Sequence, residues 1–154
     1  MANLVTIVEE PTGEAYSGLL RFALRTKSLF SLVWCEQFEF DREAISLAEA
    51  LRPDFVSERR TDEWPGTQLF GHFAVVRMYR MSTAALATLA EVGRLYGWSA
   101  PERPEDLAFY VGENNPWLGS IAHEQDAFIY PDAIDIREVC TNVPGLRLEH
   151  VAGR

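Results

Sequence analysis

The chain has 154 residues, 47% of them hydrophobic and 12% aromatic, and its 14 basic and 23 acidic side chains give a net charge of −9. That length and apolar content fit one folded domain and exclude a wholly disordered chain, and no apolar run approaches the roughly 20 residues of a membrane span. The acidic balance disfavours nucleic acid and anionic lipid as partners, because both call for a basic footprint.

The charge is uneven: residues 1–52 carry −3, residues 53–104 are neutral and residues 105–154 carry −6. The N-terminal segment is acidic rather than charged-then-apolar, so a cytoplasmic protein is expected. Cys35 and Cys140 form neither a C-x-x-C pair nor a zinc pattern and are expected as reduced thiols.

Tyr16 to Thr26 places Leu19, Leu20, Ala23 and Leu24 on one helical face, which predicts a first helix. Leu29 to Cys35 is a short apolar run with aromatic and β-branched residues, the pattern of a buried strand. Asp41 stands where an N-cap belongs, ahead of Ile45, Leu47, Ala48 and Leu51, and Pro53 ends that second helix. Asp54 to Trp64 is polar and reads as an edge strand leading into a turn at Trp64-Pro65-Gly66-Thr67. His72 to Arg80 alternates as a strand, with His72 on the face of Val76 and Met78, an expected core histidine.

Ser82 is placed to cap a third helix running through Tyr96, with Gly97 as its C-terminal stop. Leu107–Val111 and Trp117–Ala122 read as a hairpin around Gly112-Glu113-Asn114-Asn115-Pro116. A short strand at Ala127–Tyr130 and a last strand at Leu146–Val151 complete the expected elements. Without a strict βαβ alternation, the expected fold is a single α+β domain over residues 1–154, a mainly antiparallel sheet with about three helices packed on it.

Nucleotide-cradling glycine motifs and the G-x-S-x-G elbow do not occur. His123-Glu124-Gln125-Asp126-Ala127 has Ala127 where a zincin helix needs its second histidine, so neither a cofactor nor a metal ion is expected from spacing. A catalytic reading makes His123 a general base oriented by Glu124 or Asp126, because an imidazole titrates near neutral pH and a carboxylate fixes its tautomer. Ser120 is the hydroxyl within sequence reach, provided the strand ends early enough for the chain to curl back. The competing structural reading buries His123 beneath Trp117 and Ile121. His72, His123 and His150 form a metal site only if the fold brings them together. Trp64 and Trp117, beside Pro and Gly turns, are the aromatic rings a protein interface would expose.

The run Pro104-Glu105-Asp106-Leu107-Ala108-Phe109-Tyr110, followed by Pro116-Trp117-Leu118-Gly119-Ser120-Ile121-Ala122-His123-Glu124, resembles a pattern of small uncharacterised bacterial α+β proteins. In these a P-x-D-L-x-F strand precedes a W-x-x-S-x-x-H-E strand, and some look like immunity partners of polymorphic toxins. The resemblance spans residues 104–128 and implies an acidic protein that works by binding. It assigns no chemistry to single residues.

The leading expectation is therefore a non-catalytic module of immunity or adaptor type that binds a basic partner protein, such as a toxin. Asp132, Asp135 and Glu138 would supply the acidic face, with Trp117 or Trp64 as anchor. One alternative is a small hydrolase or transferase centred on His123 and Glu124, with Asp126 and Ser120. Another is an aromatic pocket for a small ligand. A homodimer, through the apolar helix at 83–96 or through an edge strand, is compatible with all three.

Overall fold

The computed structural model describes residues 3–149. In chain order these form β1 (Val5–Thr6), α1 (Gly13–Arg25), β2 (Leu29–Cys35), α2 (Arg42–Leu51), β3 (Phe55–Thr61), β4 (Glu63–Trp64), β5 (Thr67–Gln68), β6 (Ala74–Arg80), α3 (Thr83–Ala90), β7 (Glu105–Tyr110), β8 (Pro116–Ile121), β9 (Asp126–Ile129) and α4 (Ile136–Asn142). Seven strands make one sheet in the order β1-β9-β8-β7-β2-β6-β3, every neighbouring pair antiparallel, while β4 and β5 form a separate hairpin. The architecture is α+β with four helices on a large antiparallel sheet.

The two faces of the sheet are covered differently. Tyr16, Leu19, Leu20 and Phe22 of α1, Leu51 of α2, Leu89 of α3 and Val139 of α4 share one core with Phe30, Leu32, Phe109 and Trp117 of the sheet. On the opposite face Val33, Cys35, Ala74 and Val76 lie under Trp64 of the small β4–β5 hairpin. That hairpin sits close enough that a Cβ on Gly66 would come within 2.6 Å of the Phe128 ring. No described helix is long and apolar enough to cross a membrane.

Local chemistry explains the elements read correctly from sequence. Asp41 caps α2 by accepting from the Glu43 and Ala44 amides at 3.1 and 3.4 Å. Ser82 caps α3 through the Ala85 amide at 3.0 Å, and its hydroxyl donates to Asp54 at 2.8 Å, tying the helix to the turn after α2. β2 occupies Leu29–Cys35 as expected, and β3 is the edge strand of the sheet.

Three expectations are corrected and two elements are added. α3 ends at Ala90, not Tyr96: Gly93 turns into the left-handed region at φ +81°, and the chain is captured by the N-terminal segment. There the Leu95 amide donates to the Pro11 carbonyl at 3.1 Å, and Glu10 accepts from both Arg94 and the Tyr96 amide. His72 is exposed and precedes β6 instead of sharing its buried face. The expected strand at Leu146–Val151 is reduced to a bridge between Leu148 and Ile7, and His150 and Val151 lie outside the described residues. Finally, β1 and α4 were not read from sequence; α4 is capped by Asp135, which accepts from the Arg137 amide at 2.9 Å.

Candidate functional site

Strand alternation would send Glu105 and Asp106, adjacent in sequence, to opposite faces of the sheet. At this point β7 departs from regular pairing: its register with β2 shifts between Ser31 and Val33, and Asp106 takes a left-handed backbone at φ +54°. Both carboxylates then reach the end of β8, where the chain tightens into a 3-10 turn at Ala122–Glu124 carrying His123. One ligand atom from each of Glu105, Asp106 and His123 lies within 4.8 Å of the others.

The two carboxylates are held by neutral donors. Asp106, 3% exposed, accepts from the Trp64 indole at 2.9 Å and from the Ala122 amide at 3.0 Å. Glu105, 5% exposed, accepts from the Ala100 amide at 3.2 Å through one oxygen, and its other oxygen has no hydrogen-bond partner among the described residues. No Arg or Lys among the described residues pairs with either. Burial raises the pKa of both carboxyls; the Trp64, Ala122 and Ala100 donors and the imidazole of His123 oppose that rise without cancelling it. Burial, reinforced by the same two carboxylates, pushes the nearby Cys35 thiol up to about 12, which makes it a poor nucleophile.

A cavity of about 440 Å³ opens beside this cluster, with Phe38, Ala100 and Pro101 on its apolar side and Glu105 and His123 on its polar side. The imidazole of His123 is exposed and stands 3.6 Å from Glu124, also exposed. His123 is therefore not sealed beneath Trp117. Its buried acidic neighbours come from β7, not from its own loop.

The other residues singled out from sequence are dispersed. Ser120 is buried, and its hydroxyl donates to the Leu107 carbonyl at 2.6 Å, so it is not the hydroxyl partner of His123. Asp126 begins β9 opposite Ile121, and the ion pair His123 makes is with Glu124, not Asp126. Trp117 is fully buried, stacked on Phe109 and edge-on to Phe22, with its indole donating to Ser28 at 3.0 Å. Trp64 is 7% exposed and turned inward to Asp106. Neither tryptophan is a surface anchor, which corrects that expectation; large rings beside turns are where the core is closed here. Asp132, Asp135 and Glu138 are exposed, but the Asp135 carboxylate is engaged as the α4 cap.

The exposed aromatic surface lies elsewhere. Phe38, Phe70 and Phe73 are 46%, 85% and 37% exposed. They sit on the segments that leave β2 and enter β6, which meet where the Glu36 amide donates to the Phe73 carbonyl at 3.0 Å. Glu36 and Glu39, both exposed, lie on the same segment as Phe38; Arg60 binds Glu36 through two hydrogen bonds of 2.7 and 2.9 Å and lies 4.1 Å over the Phe73 ring.

Comparison with protein-family models, curated proteins and solved structures finds no match to this chain. Sequence reasoning missed Glu105 and Asp106 as site residues. The available signal was two adjacent carboxylates at the mouth of an apolar strand, a costly place for charge unless something offsets it.

Proposed function

We propose that this protein is a binding module of immunity or adaptor type, which docks a basic partner protein at the end of the sheet formed by the β2 exit and the β6 entry. The observation that carries this reading is the exposure of Phe38, Phe70 and Phe73 on one end of the fold. A single exposed apolar side chain is ordinary, whereas three phenyl rings on converging segments resemble an interface core. Phenyl rings supply the buried anchor such an interface needs, and the exposed Glu39 beside Phe38, on a chain of net charge −9, selects for a partner with Lys and Arg around an apolar socket. The anchor role expected of Trp64 and Trp117 passes to these phenylalanines.

The test places a photo-crosslinking phenylalanine analogue at Phe70 in the cell of origin, followed by capture at low and at high salt. A basic protein crosslinked at Phe70, bound stoichiometrically at low salt and released at high salt, is the expected result. Binding of that protein should fall at least about tenfold in F70A and in F38A, the size of a typical anchor truncation. Binding unaffected by F70A and F38A but abolished by D132K/E138K would move the interface to α4 and defeat the proposal.

A further inference from the structure

We infer that Glu105, Asp106 and His123 form a binding site for a divalent first-row transition cation, of the Zn²⁺ or Mn²⁺ class, open to the cavity between Phe38, Pro101 and His123. This inference is independent of the protein-binding reading. Three ligands of types suited to such ions, two carboxylates and an imidazole, already converge within 4.8 Å, from β7 and from the turn that follows β8. Tetrahedral coordination at about 2.1 Å places ligand atoms about 3.4 Å apart, so the cluster needs only a modest closure. The mobile partner in that closure is the exposed His123 side chain, while the carboxylates are held from behind.

A second observation separates this cluster from an ordinary group of acids. Glu105 is buried, borders the cavity and leaves one carboxylate oxygen with no hydrogen-bond partner among the described residues, and no Arg or Lys among them pairs with it. Burying two neighbouring carboxylates without a cation is costly, and a divalent ion offsets both at once. The support behind the ligands also has the form that metal sites use. The Trp64 indole and Ala122 amide orient Asp106, the Ala100 amide orients Glu105, and Glu124 lies within reach of the imidazole. Three protein ligands with an adjoining cavity leave coordination positions for water or for a small anionic ligand, the arrangement of an open rather than a sealed site. Ca²⁺ is disfavoured because it seeks six to eight oxygens, and one ligand here is an imidazole nitrogen.

The test is calorimetric titration of the chelator-treated, untagged full chain with ZnCl₂ and MnCl₂, with CaCl₂ and MgCl₂ alongside. One saturable equivalent of Zn²⁺ or Mn²⁺ per chain is expected, weakened at least about tenfold in H123A and in E105Q. The H72A/C140S variant, which removes exposed ligands elsewhere, should bind as the parent does. Metal-free E105Q should melt at or above the parent, because a buried charge is lost, so its binding defect cannot be unfolding. If E105Q fails to fold, H123Q at an exposed position carries the test. Absence of saturable binding, binding in H123A and H123Q as tight as in the parent, or loss only in H72A/C140S would overturn the site.

Discussion

Four tryptophans occupy four different polar settings in this fold, and their burial does not predict what each contributes. Trp98 donates to the Tyr16 hydroxyl at 3.1 Å, which itself donates to the Leu89 carbonyl at 2.6 Å, linking α1, α3 and the segment before β7 in the interior. Trp34 is edge-on to Phe40 with Arg77 over its ring, yet its buried indole nitrogen finds no acceptor among the described residues. Removing a group that others depend on strands its partners, whereas removing an unpartnered donor strands nothing. Tyr16→Phe should therefore cost about 1–3 kcal/mol in denaturant unfolding. Trp34→Phe, which keeps an aromatic ring and deletes an unsatisfied donor, should cost under about 1.5 kcal/mol. An equal loss in the two variants would contradict this ordering.

At the scale of elements, the β4–β5 hairpin decides how the second face of the sheet is closed. Its turn residue Gly66 has φ +90°, and an added Cβ would lie 2.6 Å from Phe128. Gly119 on β8 meets the same ring, with its would-be Cβ 2.6 Å away, so Phe128 fills a slot bounded by two glycines. Gly66→Ala incurs about 1–2 kcal/mol of left-handed backbone cost and a further 1–3 kcal/mol, roughly, of overpacking. Because Trp64 on this hairpin holds Asp106, the variant should also loosen the β7 carboxylates; amide exchange in residues 63–68 and 105–106 is expected to rise together. Exchange confined to residues 63–68 would show that the hairpin does not support the carboxylates.

For the molecule as a whole, the large buried groups that ionise at high pH set its alkaline limit. Burial raises the pKa of Tyr96 and Tyr130 to about 12 each and raises those of Tyr16, Tyr79 and Tyr110 as well. In the unfolded chain the same phenols ionise near about 10. The native state thus keeps protons that the unfolded state releases, so stability is intact below about pH 10 and declines as pH rises toward 12. The urea midpoint should hold between pH 7 and 9 and fall steadily from pH 10 to 11.5; a level midpoint across that range would refute the linkage. At neutral pH the same molecule carries its charge on a surface where Glu36, Glu58 and Glu43 are paired with Arg60, Arg77 and Arg103. The exposed acids left outside such pairs, Glu39 and Glu63 among them, are what a basic partner would meet.

Signals carried by a few consecutive residues were legible before any fold was known. The apolar run Leu29–Cys35 is β2, Asp41 and Ser82 are caps, and the β7–β8 hairpin brackets its Gly-Pro loop, because periodicity, capping and turn chemistry act over less than about two turns of chain. What depends on neighbours distant in sequence was not legible. α3 stops at Ala90 because Glu10 and Pro11 take the chain that follows it, and Trp117 is interior because Phe22 and Phe109 close around it. Glu105, Asp106 and His123 meet only because a register shift turns β7 toward the end of β8. Amino-acid order determined the elements and the negative field; tertiary packing alone decided which side chains face water and which charges are forced together, since burial and desolvation are sums over neighbours that no local stretch contains.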